Sequence, residues 1–277
     1  MAALFALSGA LFWGLGDFLG GIASRRISVL TVLALSQAVG LAGLILWILL
    51  ASDPFPGVVE LLPGVAAGVA GLIGLAALYR GLAIGAMGIV APISAAGPIV
   101  PLAIDAARGI TPSPLQSLGV VLVLAGIATL SLEPPASGQR RVAEGAGLAI
   151  VAALGFGVFF VGIDSAADAS VPWAVGAART AAVVVAFAAV AVMSAPLRPP
   201  RSLVPAIVGV GAFDTGANVS VAFATTEGAV GTVAILSALY PVVTVILARL
   251  FLHEKLSPRR RLAAVSALAG AGFVAAG

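Results

Sequence analysis

Apolar runs of about 20 residues, the length that carries a helix across a bilayer core, alternate along this chain with short breaks of charge, proline and glycine. Reading between the breaks predicts ten spanning helices: Leu4–Ser24, Val29–Leu49, Leu61–Leu82, Met87–Ala107, Pro114–Leu132, Gly145–Ala166, Trp173–Met193, Leu203–Thr225, Ala229–Phe251 and Pro258–Ala276. The widest break, Glu133–Glu144 (EPPASGQRRVAE), divides the pattern into two halves of five spans. Residues 1–133 form the first half, 134–144 a cytoplasmic linker and 145–277 the second half. The apolar start Met1–Ala10 has no positive stretch before it and runs into a membrane-length segment, so it reads as a retained first span rather than a signal peptide.

The halves repeat one another. The phrase GAMGIVAPISAAGPIV at Gly85–Val100 returns as GAVGTVAILSALYPVV at Gly228–Val243, shifted by 143 positions. Gly85, Ala86, Gly88, Val90, Ala91, Ser94, Ala95, Pro98 and Val100 each meet the same residue type in the second copy. Two-fold repetition in an apolar chain is a mark of membrane transporters.

Composition agrees about the solvent. Hydrophobic residues make up 61% and charged residues 9% of the chain, with mean hydropathy +1.19. Soluble domains carry about a quarter charged residues. The chain is therefore read as an all-α integral membrane protein with lipid as its surroundings. Its net charge of +3 comes from basic residues scattered in short loops, which points to topology and not to nucleic acid. Cysteine is absent, which excludes disulfides, thiolate metal sites and thiol nucleophiles.

Arginine placement sets the orientation. Loops after odd-numbered spans hold Arg25, Arg26, Arg80, Arg140, Arg141, Arg198, Arg201, Lys255 and Arg259 to Arg261, with Arg249 nearby; loops after even-numbered spans hold only Arg108. The positive-inside rule makes the odd loops cytoplasmic and puts both termini outside, with Trp47 and Trp173 at the outer interface. Five spans per half is an odd number, so the second half enters the membrane upside down and the repeat is inverted. In such proteins the substrate site lies near the midplane between the halves. A structural bundle with no pathway is the plainer alternative.

Longer segments make the pattern specific. ALYRGLAIGAMGIVAPISAAGPIV at Ala77–Val100 and VAFATTEGAVGTVAILSALYPVV at Val221–Val243 each lead through small residues to a proline in the fourth helix of a half. With FLHEKLSPRRRLAAVSALAGAG at Phe251–Gly272, they resemble the EamA family of the drug/metabolite transporter superfamily. Glu254 and Gly270 match that family's acidic-basic turn and final-helix glycine. The first half's counterpart, ARGITPSPLQSLGVVLVLAG at Ala107–Gly126, lacks the glutamate. Arg179 stands where the family often has an arginine, while the first half has Ser36 and Gln37. The resemblance implies alternating-access secondary transport, with export of a small metabolite, amino acid or drug-like amphiphile across the inner (plasma) membrane of a bacterium. Membrane lipid, a small-molecule substrate and protons are the implied partners. No cofactor, nucleic acid or obligate protein partner is expected.

Chemistry inside the spans rests on few residues, since an ionisable group at a helix centre costs about 2.5–3.5 kcal/mol on insertion scales. Asp214 lies midway along span eight, with Asn218 one turn later on the same face. Asp214 either lines a cavity, where it binds a cationic or hydroxyl-bearing substrate or takes up a proton, or is a buried partner for Arg179. An ion pair at a cavity wall satisfies both. Asp17 follows Trp13 by one turn, an arrangement suited to a proton carrier or a receptor for amines; hydrogen bonding to a neighbouring helix is the alternative. Its repeat counterpart is Phe160, and that of Asp214 is Gly71.

Tyr79, Tyr240 and Gln37 complete the candidate substrate and proton site, while Arg80 reads as an interface residue. Pro98 and Pro241 are expected to kink spans four and nine. Ser94 and Ser237, one turn earlier, are expected to bond the carbonyls those prolines free. Gly16 with Gly20, Gly64 with Gly68 and Gly81 with Gly85 have the spacing of close helix contacts.

Enzyme readings fail on residue supply. Lys255 is the only lysine and no glycine-rich loop precedes it. His253 is the only histidine, so neither a zinc helix nor a Ser-His-Asp set in the membrane can be assembled. No metal site is expected. A membrane-embedded enzyme for a lipid-linked substrate remains the alternative class, and it requires polar groups clustered at one interface.

Overall fold

The computed structural model describes residues 1–24, 26–84, 94, 96–131, 142–251 and 258–277. Those residues are helical throughout their regular structure. The helices are α1 (Ala2–Ser24), α2 (Val29–Ala51), α3 (Val58–Ile84), α4 (Ile99–Ala107), α5 (Pro114–Ser131), α6 (Val142–Ala167), α7 (Val171–Met193), α8 (Val204–Glu227), α9 (Val230–Ser237), α10 (Tyr240–Phe251) and α11 (Pro258–Ala276). A 3₁₀ turn at Arg201–Leu203 leads into α8. Lipid has no water to bond exposed peptide groups, so a spanning chain must satisfy its backbone within each helix.

Among the described residues, six helices are long and apolar enough to cross a membrane: α1, α2, α3, α6, α7 and α8. These match predicted spans one to three and six to eight. The segments Pro114–Thr129, Val230–Thr244 and Arg261–Ala276 are shorter apolar helices. Leu4, Leu46, Leu50, Leu154, Val184 and Leu262 are among many large apolar side chains exposed on the outer surface, as lipid contact requires.

The ninth predicted span is not one helix. It divides into α9 and α10 at a turn over Ala238 and Leu239. The fourth breaks at the equivalent place, with a turn at 96–98 before α4. The same tight bond closes both turns: the Ile99 N–H donates to the Ala96 carbonyl at 2.9 Å, and the Val242 N–H donates to the Leu239 carbonyl at 2.9 Å. Pro98 and Pro241 have no N–H to give, and their rings clash with the carbonyl four residues back. The expected kink is therefore a break.

The halves interlock. The most extensive packing joins α3 with α6, α5 with α11 and α1 with α8, followed by α3 with α7, α2 with α7 and α2 with α8. Each of these pairs crosses from one half to the other. Under the 143-residue shift the α1–α8 pair becomes α6–α3, the α2–α8 pair becomes α7–α3, and α2–α7 and α5–α11 map onto themselves.

Two glycines show how closely the repeat is kept. A Cβ on Gly14 would lie 2.6 Å from Val243 Cγ1 and 2.9 Å from the Tyr240 carbonyl; one on Gly157 would lie 2.6 Å from Val100 Cγ2 and 3.0 Å from the Gly97 carbonyl. These contacts are equivalent, and in lipid such close packing replaces the hydrophobic drive between helices. Gly14→Val and Gly157→Val are each expected to lower stability by about 1–3 kcal/mol through overpacking. Unfolding in mixed micelles measures this, and unchanged curves would mean the helices separate freely there.

At the end of the bundle that carries the N-terminus, polar contacts tie the halves together. Ser170 caps α7, accepting from the Trp173 N–H at 3.5 Å while its Oγ donates to Asp53 Oδ2 at 3.4 Å. Trp173 Nε1 donates to the Asp53 carbonyl at 3.1 Å and its ring meets Phe55 edge-on. Arg108 pairs with Asp164 at 3.2 Å. Asp105, only 4% exposed, accepts from the Gly231 N–H at 2.6 Å and so caps the first turn of α9 from across the interface. Its removal in Asp105→Ala is expected to cost about 1–2 kcal/mol, the upper part of the range for a lost cap. The same unfolding measurement tests it.

Candidate functional site

Helices α1, α2, α3, α6, α7 and α8 line a cavity of about 170 Å³ at mid-height, and the two broken helices border it. Both repeat copies supply wall: Ser94, Gly97 and Pro98 from the first, Ala238, Tyr240 and Pro241 from the second. Helix breaks beside a cavity are where irregular backbone is tolerated inside a membrane protein.

One side of the cavity is aromatic. The Trp13 indole stands edge-on to Phe159, Phe160 and Tyr240, with ring centroids 6.0, 5.9 and 6.3 Å away. Phe156 adjoins them. Edge-to-face packing of this kind fixes the rings beyond what area burial alone supplies.

The charged groups of the cavity come from α1, α7 and α8. Arg179, on α7, is 2% exposed and donates through Nη1 to both Gln37 Oε1 and Asp214 Oδ2. Gln37 Nε2 in turn approaches Asp214 Oδ2 at 3.4 Å. The carboxylate of Asp214 is 25% exposed, so its free side meets the cavity. α2, α7 and α8 each contribute one member because they pack together and each turns its only strongly polar position of that level inward. Asn218 lines the cavity one turn beyond Asp214.

Asp17 differs. It lines the same cavity, yet it has no hydrogen-bonding or ion-pairing partner among the described residues. With Arg179 and Asp214 cancelling, an ionised Asp17 leaves the cavity one negative charge in excess. That charge sits one helical turn from Trp13.

The structure thus gathers Trp13, Asp17, Gln37, Arg179, Asp214, Asn218 and Tyr240 around one space, along with Ser94, Pro98 and Pro241. Ser237 is elsewhere. It is fully buried, and its Oγ donates to the Ala6 carbonyl of α1 at 3.3 Å rather than to a carbonyl freed by proline. A hydroxyl facing a neighbouring helix bonds the acceptor it meets. The Tyr79 side chain lies outside the described residues, as do residues 85–93, the linker at 132–141 and the turn with His253, Glu254 and Lys255.

Sequence reasoning missed the α6 aromatics Phe156 and Phe159. A signal was present, since the 143-residue shift carries Trp13 onto Phe156. It also missed Asp105, whose capping role exists only across the interface between halves.

Comparison with known proteins adds the following. The sequence profile of the EamA-like transporter family matches residues 1–132 and again residues 143–276. One solved crystal structure is similar to the chain at 19% sequence identity with a TM-score of 0.83, covering 98% of this chain and 95% of that one. At that identity the likeness is one of fold. No curated protein matches significantly.

Proposed function

Because the chain belongs to the EamA-like transporter family, we propose that it is a secondary transporter in which two inverted halves rock about the central cavity and carry a small amine across the membrane. The observation that carries this reading is the unpaired Asp17 carboxylate beside the Trp13 wall, in a cavity between the halves. An ammonium group is attracted both by the carboxylate and by the face of an indole. The cavity volume of about 170 Å³ compares with roughly 150 Å³ for an apolar cavity that holds benzene. The occupant is accordingly the size of a small ring with a short polar arm, and an amino acid or small amphiphile of that size fits the same description.

Two inverted halves, with both termini outside, follow from the arginine bias and the odd number of spans per half. In this reading the N-terminal end, with its Arg108–Asp164 and Asp53–Ser170 contacts, faces outward. Those contacts must part when the cavity opens there. The driving force is a proton gradient or the substrate's own gradient, with Asp17 exchanging a proton for the ammonium group. Export is the direction that the family resemblance implies. The polar groups sit at mid-height rather than at one interface, which disfavours an enzyme acting on a lipid headgroup.

Proteoliposome uptake of benzylamine under an imposed pH gradient tests the proposal. Saturable, gradient-dependent flux supports it. Flux indistinguishable from protein-free vesicles across benzylamine and other small amines would refute the amine reading.

A further inference from the structure

A second void of about 30 Å³ lies between α1, α2 and α8 and shares Asp17, Gln37 and Asp214 with the main cavity. From these groups it extends past Ser36 and Gly20 to Ser24, the last residue of α1. It exists because α1 presents Gly16 and Gly20, one turn apart, to this face. Neither glycine is forced by close approach: a Cβ on Gly20 would meet only Val210 Cγ2, at 3.7 Å, and one on Gly16 would make ordinary contact with Asp214 N and Phe213 Cβ of α8, both at 3.7 Å. The helices do pack here, as the spacing led one to expect, but a methyl group fits at either position, so the contact by itself does not require glycine.

A void of this volume holds about two or three waters, each needing roughly 10–15 Å³ by this measure and two or more polar partners. It is too narrow for any organic substrate. Polar atoms are spaced along it: the Ser24 hydroxyl at the helix end, Ser36 Oγ, which donates to the Leu33 carbonyl at 3.1 Å and keeps its lone pairs free to accept, then Gln37 and the carboxylate of Asp17.

We propose that this void is a water-lined proton path from the Ser24 end of the bundle to Asp17, separate from the route the substrate takes. The proposal rests on the transport reading above. Along the path each water passes one proton forward and receives one from behind. The last transfer forms an O–H bond on Asp17, and the net change is one proton drawn from solvent. The titratable or charged groups facing Asp17 from the packed helices are Asp214 on α8, Tyr240 on α10 and, through Asp214, Arg179 on α7. A separate path lets Asp17 be reprotonated from one side while the main cavity is occupied or closed on that side.

The chain has no cysteine, so a single introduced thiol can be followed without background. In Ser36→Cys, silver ion, small enough to follow water, is expected to react in the folded protein while a maleimide does not. Adding Gly20→Val, which fills the path away from the main cavity, is expected to slow the silver reaction at least ten-fold, and Gly20→Ala to slow it less. Equal silver rates in the Ser36→Cys and Gly20→Val/Ser36→Cys proteins, at unchanged unfolding midpoints, would overturn the path. So would silver reactivity that appears only on unfolding. In vesicles, Gly20→Val is expected to lower benzylamine-driven proton flux ten-fold or more while benzylamine counterflow persists. Equal loss of both would also overturn it. A silver-accessible, Gly20-dependent void in a protein that moves no amine would sink the transport reading and spare the water path.

Discussion

Arg179→Ala is expected to cost about 3 kcal/mol of stability or more, the largest effect of any single change proposed for this chain. Removing one member of a buried pair leaves the other charge uncompensated, a loss of about 3–5 kcal/mol. The lower part of that range applies because Asp214 is 25% exposed to the cavity, where water offsets some of the loss. Gln37 loses its guanidinium donor in the same variant. Replacing both charges by apolar groups of similar size, in Arg179→Met with Asp214→Leu, is expected to recover most of the stability, since apolar replacements of buried pairs are often neutral or better. Unfolding curves in mixed micelles for wild type, Arg179→Met, Asp214→Leu and the double variant give the coupling between the two residues directly. An Arg179→Ala protein that unfolds like wild type would mean that cavity water alone carries Asp214 and that the triad is not structural.

The second large effect is functional. Asp17→Asn removes the only unpaired carboxylate found in the cavity among the described residues and keeps the side chain's shape. Losing a desolvated charge partner costs about 2–5 kcal/mol of binding. Taking about 3 kcal/mol, benzylamine affinity falls roughly a hundred-fold. Folding should be unaffected, because Asp17 makes no bond whose loss would strand a partner. Binding is read from the ligand's stabilisation of the folded protein, about 2.7 kcal/mol at a hundred times Kd in wild type. Asp214→Asn should weaken binding less, since Asp17 still stands beside the Trp13 wall, although the change leaves Arg179 without its ion pair. If the two asparagine variants bind benzylamine equally well, Asp17 is not the recognition group.

Much of this was legible along the chain. The repeat of Gly85–Val100 at Gly228–Val243 marked where both halves would break, because proline removes a donor wherever it stands. Asp17, Asp214 and Arg179 were conspicuous because charge inside an apolar run must find a partner or a cavity. The sequence offered Asp214 as a cavity carboxylate or as the partner of Arg179, without deciding between them. The packing of α7 against α2 and α8 makes it both, and leaves Asp17 without a hydrogen-bonding or ion-pairing partner among the described residues. The Phe156 and Phe159 wall was hidden for a similar reason. Phenylalanine in a membrane helix is unremarkable until its facing helix is known. Ser237 illustrates the converse, a local rule about serine and proline overruled by a neighbouring carbonyl on α1.

By itself, the sequence determined that this protein lives in lipid, that it is helical, that it is built twice over and that Asp17, Asp214 and Arg179 stand well inside its spans. Those conclusions rest on composition and periodicity, and in a bilayer a backbone that cannot bond water has few alternatives to the helix. The tertiary structure alone decided which charges pair, where the aromatic wall stands, and that Gly16 and Gly20 border a void. These depend on how each helix is rotated and tilted against its neighbours. Side-chain packing across the two halves sets that rotation, and no stretch of one helix contains it.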